Sequence, residues 1–366
     1  MRTVGVEEEY ILAGPDGRPV ARAAAVLTND AVATFAHPEA APGDLDEEFF
    51  QQQIEIGTPI CSTLAEVSDA LRACRARADA AAAHVRAGIV ALGTSPFESE
   101  TRTTRGERYE QIAELLEQPA RESPMSGCHV HVGIADDDEG VAVIDRIQRW
   151  LPVLLAMSAN SPFWNGEDTG YSSYRSQVWY RWPSAGPVAP FGSAAAYHEA
   201  VAALLRTGAI LDPGMVYFDA RLSHRYPTVE VRVADVCLDV NDAVLLAVLV
   251  RALVETTARE ARDGVPAPAG RAELLRLAAW RAARTGLTER IVSPVSGTPE
   301  PAHDVVQELF AYLGRALADS GDLATATTLW HRLRERGTGS EQQRRWYAES
   351  GDFGDVVARA RERTMA

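Results

Sequence analysis

Strict alternation with a period of two runs through several short stretches of this chain, and in each the polar face carries groups able to ligate a cation. Over residues 3–12, Val4, Val6, Glu8 and Tyr10 alternate against Gly5, Glu7, Glu9 and Ile11, so a strand here puts Glu7 and Glu9 on one face. Like charges on one strand face repel and are costly to desolvate, so such a face needs a cation or open water beside it. Residues 126–133 set Cys128, Val130 and Val132 against His129 and His131. At a rise of about 3.3 Å per residue the two imidazoles stand roughly 7 Å apart and can serve one site. Residues 228–234 place Glu230, Arg232 and Ala234 opposite Val229, Val231 and Val233, with an antiparallel partner expected over 215–221. A fourth stretch turns Gln53 and Glu55 away from Ile54 and Ile56. Each face alone reads equally well as a solvated edge or a surface ion pair; together they suggest one shared site. Along an unbroken strand Glu47 would join Glu55 and Glu48 would point away, unless a bulge intervenes.

Between these strands the pattern turns helical. An Ala-rich helix is expected over 21–35, followed by a polar loop. Thr63 and Glu66 form a capping box for a helix reaching Arg86, with Gly88 as its stop. A short buried strand over 89–92 leads to an Arg-rich loop and a helix over 109–117. The run Asp136 to Glu139 reads as an exposed turn, and 141–160 as helix broken at Pro152. Residues 161–183, aromatic and bearing Arg175 and Arg181, show little periodicity, and long loops of this kind are usually functional. Ser193 caps a helix to Arg206. Beyond Asn241 the chain reads as helix almost throughout. This layout predicts an α+β fold in one domain, residues 1–366, sheet-rich over 1–240 and mostly helical over 241–366.

Composition excludes several chemistries. All 36 basic residues are arginine, which removes a lysine Schiff base and the Walker-A phosphate loop. A net charge of −15 without a basic stretch argues against nucleic acid as partner. Four cysteines without CxxC spacing suggest neither a zinc ribbon nor a disulfide framework. With no apolar run long enough for a membrane span and no signal-peptide pattern, a cytoplasmic location is expected. Hard carboxylate oxygens supplemented by imidazole suit Mg²⁺ or Mn²⁺ better than structural zinc. More than one such ion fits a polyanionic substrate such as ATP.

Four motifs together resemble a known family: Gly5-Val6-Glu7-Glu8-Glu9-Tyr10, Ile54-Glu55-Ile56-Gly57-Thr58-Pro59, Gly127-Cys128-His129-Val130-His131-Val132-Gly133 and Val229-Glu230-Val231-Arg232. They are similar to those of the type 2 glutamate–cysteine ligases, carboxylate–amine ligases of the glutamine-synthetase-like superfamily. Residues 158–164 and 170–175, and Gly337-Thr338-Gly339 with Gln343-Arg344, extend the resemblance over nearly the whole chain. It implies a curved antiparallel sheet forming an active-site funnel, covered by helices. It further implies that Glu7, His129 and Glu230 hold the metal nearest the transferred phosphate, and Glu9 with Glu55 another. Glu48 falls where the family has a further acidic ligand, although strand parity favours Glu47. His131 and Arg232 would contact nucleotide phosphates, and Arg175 and Arg181 the substrate carboxylate. Glu7, Glu230 and Arg232 would then be the catalytic core of an ATP-dependent ligase that forms an amide through an acyl phosphate. Small-molecule substrates are the expected partners, and a homodimer the candidate assembly. A phosphagen-type kinase, a metal-dependent hydrolase and a non-catalytic metal-binding relative are the rival readings.

Overall fold

The computed structural model describes residues 1–36, 43–122 and 124–366. Its first strand, β1 (Val4–Ala13), is the expected alternating stretch. Helix α1 (Ala23–Ala36) follows, and the polar loop expected after it lies partly at 37–42, outside the described residues. The chain then forms a hairpin of β2 (Asp44–Glu47) and β3 (Gln53–Gly57), the latter being the strand expected around Ile54 and Ile56. Helix α2 (Leu64–Ala83) opens with the predicted capping box of Thr63 and Glu66. It ends earlier than expected: Arg86 takes the left-handed turn at φ 55°, and Gly88 instead opens β4 (Gly88–Val90).

Helix α3 (Glu107–Leu116) precedes the histidine strand β5 (Gly127–Gly133). The acidic run after it is no free turn. Asp136 caps α4 (Asp137–Ile147), accepting from the Glu139 amide at 2.9 Å, and acidic residues favour that helix end. Pro152 lies in the first turn of α5 (Leu151–Ser158), reached from α4 through a 3₁₀ turn, so the predicted break is present. A small hairpin, β6 (Phe163–Trp164) and β7 (Glu167–Asp168), and α6 (Tyr174–Trp179) occupy the irregular stretch. Ser193 caps α7 (Ala194–Arg206) as read. The pair expected before residue 235 is β8 (Ala220–Leu222), shorter than predicted because Met215 sits in a 3₁₀ turn, and β9 (Thr228–Asp235).

Helix α8 (Val240–Arg262) is buried nearly all round as far as Val254. Then come α9 (Ala272–Thr285), a hairpin of β10 (Arg290–Val292) and β11 (Pro299–Pro301) that the helical pattern had hidden, and α10 (Ala302–Asp319). Helices α11 (Leu323–Arg336), α12 (Gly339–Ser350) and α13 (Phe353–Thr364) complete the chain.

Among the described residues, the main sheet runs β2-β3-β1-β5-β9-β8, with β4 beside the end of β1 and every pairing antiparallel. Its apolar face carries Val6, Val130 and Val231 into a core built with α5 and α8, while Tyr10, Ile54 and Ile56 pack with α1 and α2. One irregularity matters. Between Cys128 and Val130 the partner strand β9 holds an extra residue, a bulge that sets Ala234 opposite Cys128. Ala234 therefore leaves the face of Glu230 and Arg232, on which simple alternation had placed it. Among the described residues no helix is long and apolar enough to cross a membrane.

Glu8 points into this core and is fully buried. Arg75 on α2 meets it through two hydrogen bonds, at 2.9 Å (Nε to Oε2) and 2.5 Å (Nη2 to Oε1), and Tyr10 donates its hydroxyl to the same carboxylate. Arg75 also donates to the carbonyls of Cys237 at 2.8 Å and Thr364 at 3.0 Å, tying the first strand to both ends of the helical half. Removing one member leaves a buried charge alone. Glu8→Gln and Arg75→Met should each lower the unfolding free energy by about 3–5 kcal/mol, read by urea denaturation at neutral pH. The double variant should cost less than the sum of the two.

Candidate active site

The opposite face of the sheet lines a cavity of about 580 Å³. Register brings its side chains together. Glu9 lies across from Glu55, Glu7 across from His129, and His131 across from Glu230, so neighbouring strands each present one member to one place. The reach between them is short: His129 Nδ1 is 3.5 Å from Glu7 and its Nε2 is 3.5 Å from Glu9. His131 Nε2 is 3.3 Å from Glu7 and 3.9 Å from Glu230. Thr228 holds the other nitrogen of His131 at 3.0 Å, which fixes the ring with Nε2 toward the carboxylates.

Three groups have ligand atoms mutually within 4.8 Å: Glu7–Glu55–His129, Glu7–His131–Glu230 and Glu9–Glu48–Glu55. Both histidine Nε2 atoms are buried without a hydrogen-bond partner. Carboxylate-rich triads sharing members, with orphaned imidazole nitrogens aimed among them, fit hard divalent cations such as Mg²⁺ or Mn²⁺. The grouping differs from what the resemblance implied: His131 rather than His129 stands with Glu7 and Glu230, and Glu55 also stands with Glu7 and His129. Glu48 joins Glu9 and Glu55 because the chain turns over residues 48–52, which ends the alternation that had favoured Glu47. Glu47 also borders the cavity.

Charge is distributed unevenly across the site. Burial raises Glu7, but the imidazoles of His129 and His131 close beside it outweigh burial and hold the carboxyl well below its usual range. Burial also opposes ionisation of Glu230, and Arg232 and Arg221 overcome it. At the other end little compensates: burial and the charge of Glu9 push Glu48 up to about 7, and burial with three glutamates pushes Glu55 well above its ordinary value. Burial beside Arg232 lowers His129 to about 4.

Three arginines face this acidic cluster. Arg232 contacts Glu230 and approaches His129 Nδ1 at 3.4 Å, while its buried Nε has no partner. Arg175 is 2% exposed, and among the described residues no carboxylate lies within 4.0 Å of it. It lies against Gly127, where an added Cβ would collide with its guanidinium, and over the Trp179 ring at 5.7 Å. Arg221, which the sequence reading overlooked, binds Glu230 through two hydrogen bonds of 2.7 and 3.2 Å. Its signal was its place on the partner strand, directly across from Glu230 in the register, and that register is not legible from the chain alone. Arg181 does not join them. It follows α6 in a turn that buries Trp182 and sends the arginine outward to Glu122, outside the cavity lining.

Residues 3–359 match the family described as Glutamate-cysteine ligase family 2. A Streptomyces coelicolor protein named “Putative glutamate–cysteine ligase 2” is 48% identical over 368 residues, covering 100% of both chains. Its counterpart numbered 2-1 from Paenarthrobacter aurescens is 46% identical over 361 residues, covering 98% of this chain and 94% of its own. Among solved structures, a glutamate–cysteine ligase of Francisella tularensis in complex with AMP matches with a TM-score of 0.62 at 13% identity, covering 100% of this chain and 89% of that one. A bifunctional glutathione synthetase of Pasteurella multocida gives 0.64 at 15% identity, covering 99% of this chain and 51% of that one. At those identities the structural likeness is one of fold. The family match and the relatives define the class as carbon–nitrogen ligase. The chain belongs to glutamate–cysteine ligase family 2.

The perturbed carboxyls predict how stability depends on pH. Folding raises the pKa of Glu48 and Glu55, so their contribution is fully present below the unfolded value of 4.5 and is lost as pH rises through the folded values. His131 and Asp219, both raised, act with the same sign, while the depressed His129 completes its opposite change by about pH 6.5. Metal-free protein should therefore melt at lower temperature at about pH 8 than at about pH 6.5. Mg²⁺ should restore more of the melting temperature at the higher pH, because cations and protons compete for the same oxygens. Differential scanning calorimetry in EDTA and in Mg²⁺ checks both.

Proposed function

We propose that this chain, acting as one catalytic domain over residues 1–366, joins a substrate carboxylate to an amine at the expense of ATP through an acyl phosphate. The observation that carries the reading is the convergence of three overlapping ligand groups with the guanidiniums of Arg175, Arg221 and Arg232 in one cavity. The groups Glu7–His131–Glu230, Glu7–Glu55–His129 and Glu9–Glu48–Glu55 would hold Mg²⁺ or Mn²⁺. Bound there, the ions would screen the nucleotide's phosphate charge and let an anionic substrate approach.

The chain's own residues do the rest. Arg232, anchored on one side by Glu230, donates to phosphoryl oxygens as charge spreads over them. Arg221 grips Glu230 from the neighbouring strand and positions it. Arg175, buried with no carboxylate within 4.0 Å among the described residues, binds an acidic group of the substrate. A carboxylate oxygen, the γ-carboxylate of glutamate in the reading favoured here, attacks the γ-phosphorus, and ADP leaves. The amine then attacks the acyl carbon, phosphate departs and the amide forms. Cysteine is the amine suggested by the names of the relatives. The four cysteines of the chain, all buried and free, fit a reducing cytoplasm.

Incubating the protein with ATP, Mg²⁺, glutamate and a panel of amines, read by mass spectrometry, tests this. ADP, phosphate and an amide should appear together, each requiring metal, carboxylate and amine. AMP with pyrophosphate, or turnover in EDTA, would overturn the reading.

Arg232→Lys tests the phosphate contact. A guanidinium offers a planar fork to two oxygens, whereas an ammonium is a compact point charge. Loss of one such transition-state contact should lower kcat on the order of 10²–10³-fold, with ATP binding weakened far less. Near-normal kcat in steady-state kinetics at saturating Mg²⁺ would make Arg232 merely the partner of Glu230.

A further inference from the structure

The cavity is lined differently at its two ends. Arg175 lies against Gly127 at the start of β5, whereas the Tyr226 ring meets His131, further along the strand, edge-on at 6.2 Å. At the Gly127 end five aromatic side chains form one wall. Phe49 packs against Tyr109 and Trp182 at 6.0 and 5.6 Å between ring centres, and Tyr217 against Trp179 and Trp182 at 4.9 and 5.4 Å. All five border the cavity, and Tyr109, Trp179 and Tyr217 are only half-buried, so part of each is open to an occupant. The wall adjoins the ligand groups. Glu48, which stands with Glu9 and Glu55, immediately precedes Phe49, and Arg175 and Arg232 lie over Trp179 at 5.7 and 5.9 Å. Such a wall is wider than a thiol can cover and suits a flat apolar body.

Charge narrows the choice. Glu47 and Glu48 stand at this end, and the guanidiniums of the lining are committed. Arg108 donates to Asp212 at 2.7 and 3.2 Å. Arg221 and Arg232 hold Glu230, Arg175 is assigned to the carboxylic substrate, and Arg225 belongs to the turn that carries Tyr226 at the other end. A second carboxylate beside the wall would meet two glutamates and no free cation, whereas an ammonium group would meet complementary charge.

We infer that the aromatic end of the cavity binds the amine of the ligation, and that this amine is an arylalkylamine without a carboxylate. The inference rests on the ligase reading for its chemistry. The nitrogen bonds to the acyl carbon as the bond from that carbon to the phosphate oxygen breaks, and the electron pair leaves with phosphate. The ammonium gives up two protons on the way, one to the departing phosphate and one to water.

Steady-state kinetics of the full chain with ATP, Mg²⁺ and glutamate, the amine being varied, tests it. kcat/KM for 2-phenylethylamine should exceed that for ethylamine, L-phenylalanine and L-cysteine by at least about tenfold each. Tyr217→Ala should lower the value for 2-phenylethylamine by about tenfold and change KM for ATP by less than about twofold. If that variant fails to fold, Tyr109→Ala decides. A smaller margin over any of the three competitors would overturn the inference and leave the ligase reading intact. So would a rise in KM for ATP in place of the loss for the amine, which would put the nucleotide base against the wall. If no amine yields an amide, the ligase reading falls, and isothermal titration with 2-phenylethylamine decides the binding site by itself. Saturable binding weakened by Tyr217→Ala would keep the site, and no binding at about 10 mM would remove it.

Discussion

Strand β1 carries three consecutive glutamates, and the pleat sends them to opposite sides of the sheet. Glu8 enters the core, where Arg75 and Tyr10 satisfy it fully. Glu7 and Glu9 enter the cavity, where they crowd against Glu48, Glu55 and Glu230. A slip of one residue in register would exchange these environments, stranding two carboxylates in the core and removing two from the site. The stability of the sheet and the composition of the site are thus set by one alternation.

The crowding is tolerated because the two ends of the cluster are handled differently. Around Glu7 and Glu230 the chain supplies histidines and arginines, and both carboxylates stay ionised. Around Glu48 and Glu55 it supplies almost none, and protons are retained there instead. A cleft that favours protons on some carboxylates and disfavours them on others has places where cations can displace protons.

The irregular stretch before Arg175 is positioned by the far end of the chain. Asp235, at the end of β9, accepts from the Asn160 amide and from the hydroxyls of Ser161 and Ser173. Gln343 on α12 donates to both oxygens of Asn160, at 3.0 Å (backbone) and 2.7 Å (side chain), and Arg344 pairs with Asp168. These hydrogen bonds hold the stretch around its short hairpin and α6 and deliver Arg175 onto Gly127. The C-terminal motif therefore acts on the site through the loop it clamps.

The sequence by itself determined whatever depends on a local period or a local cap. It assigned Glu7 and Glu9 to one face, His129 and His131 to another, Glu55 away from Ile54, and the start of α2 to Thr63. It also located the break at Pro152. Only the tertiary structure decided which of these faces meet. The hairpin turn over 48–52 recruited Glu48, the register of β8 recruited Arg221, and the packing of Trp182 turned Arg181 away. The bulge in β9 moved Ala234 to the core face. Alternation follows from the geometry of neighbouring residues and is written in the chain. Pairing, burial and the resulting charge states depend on groups far apart in sequence, and they exist only once the sheet has formed.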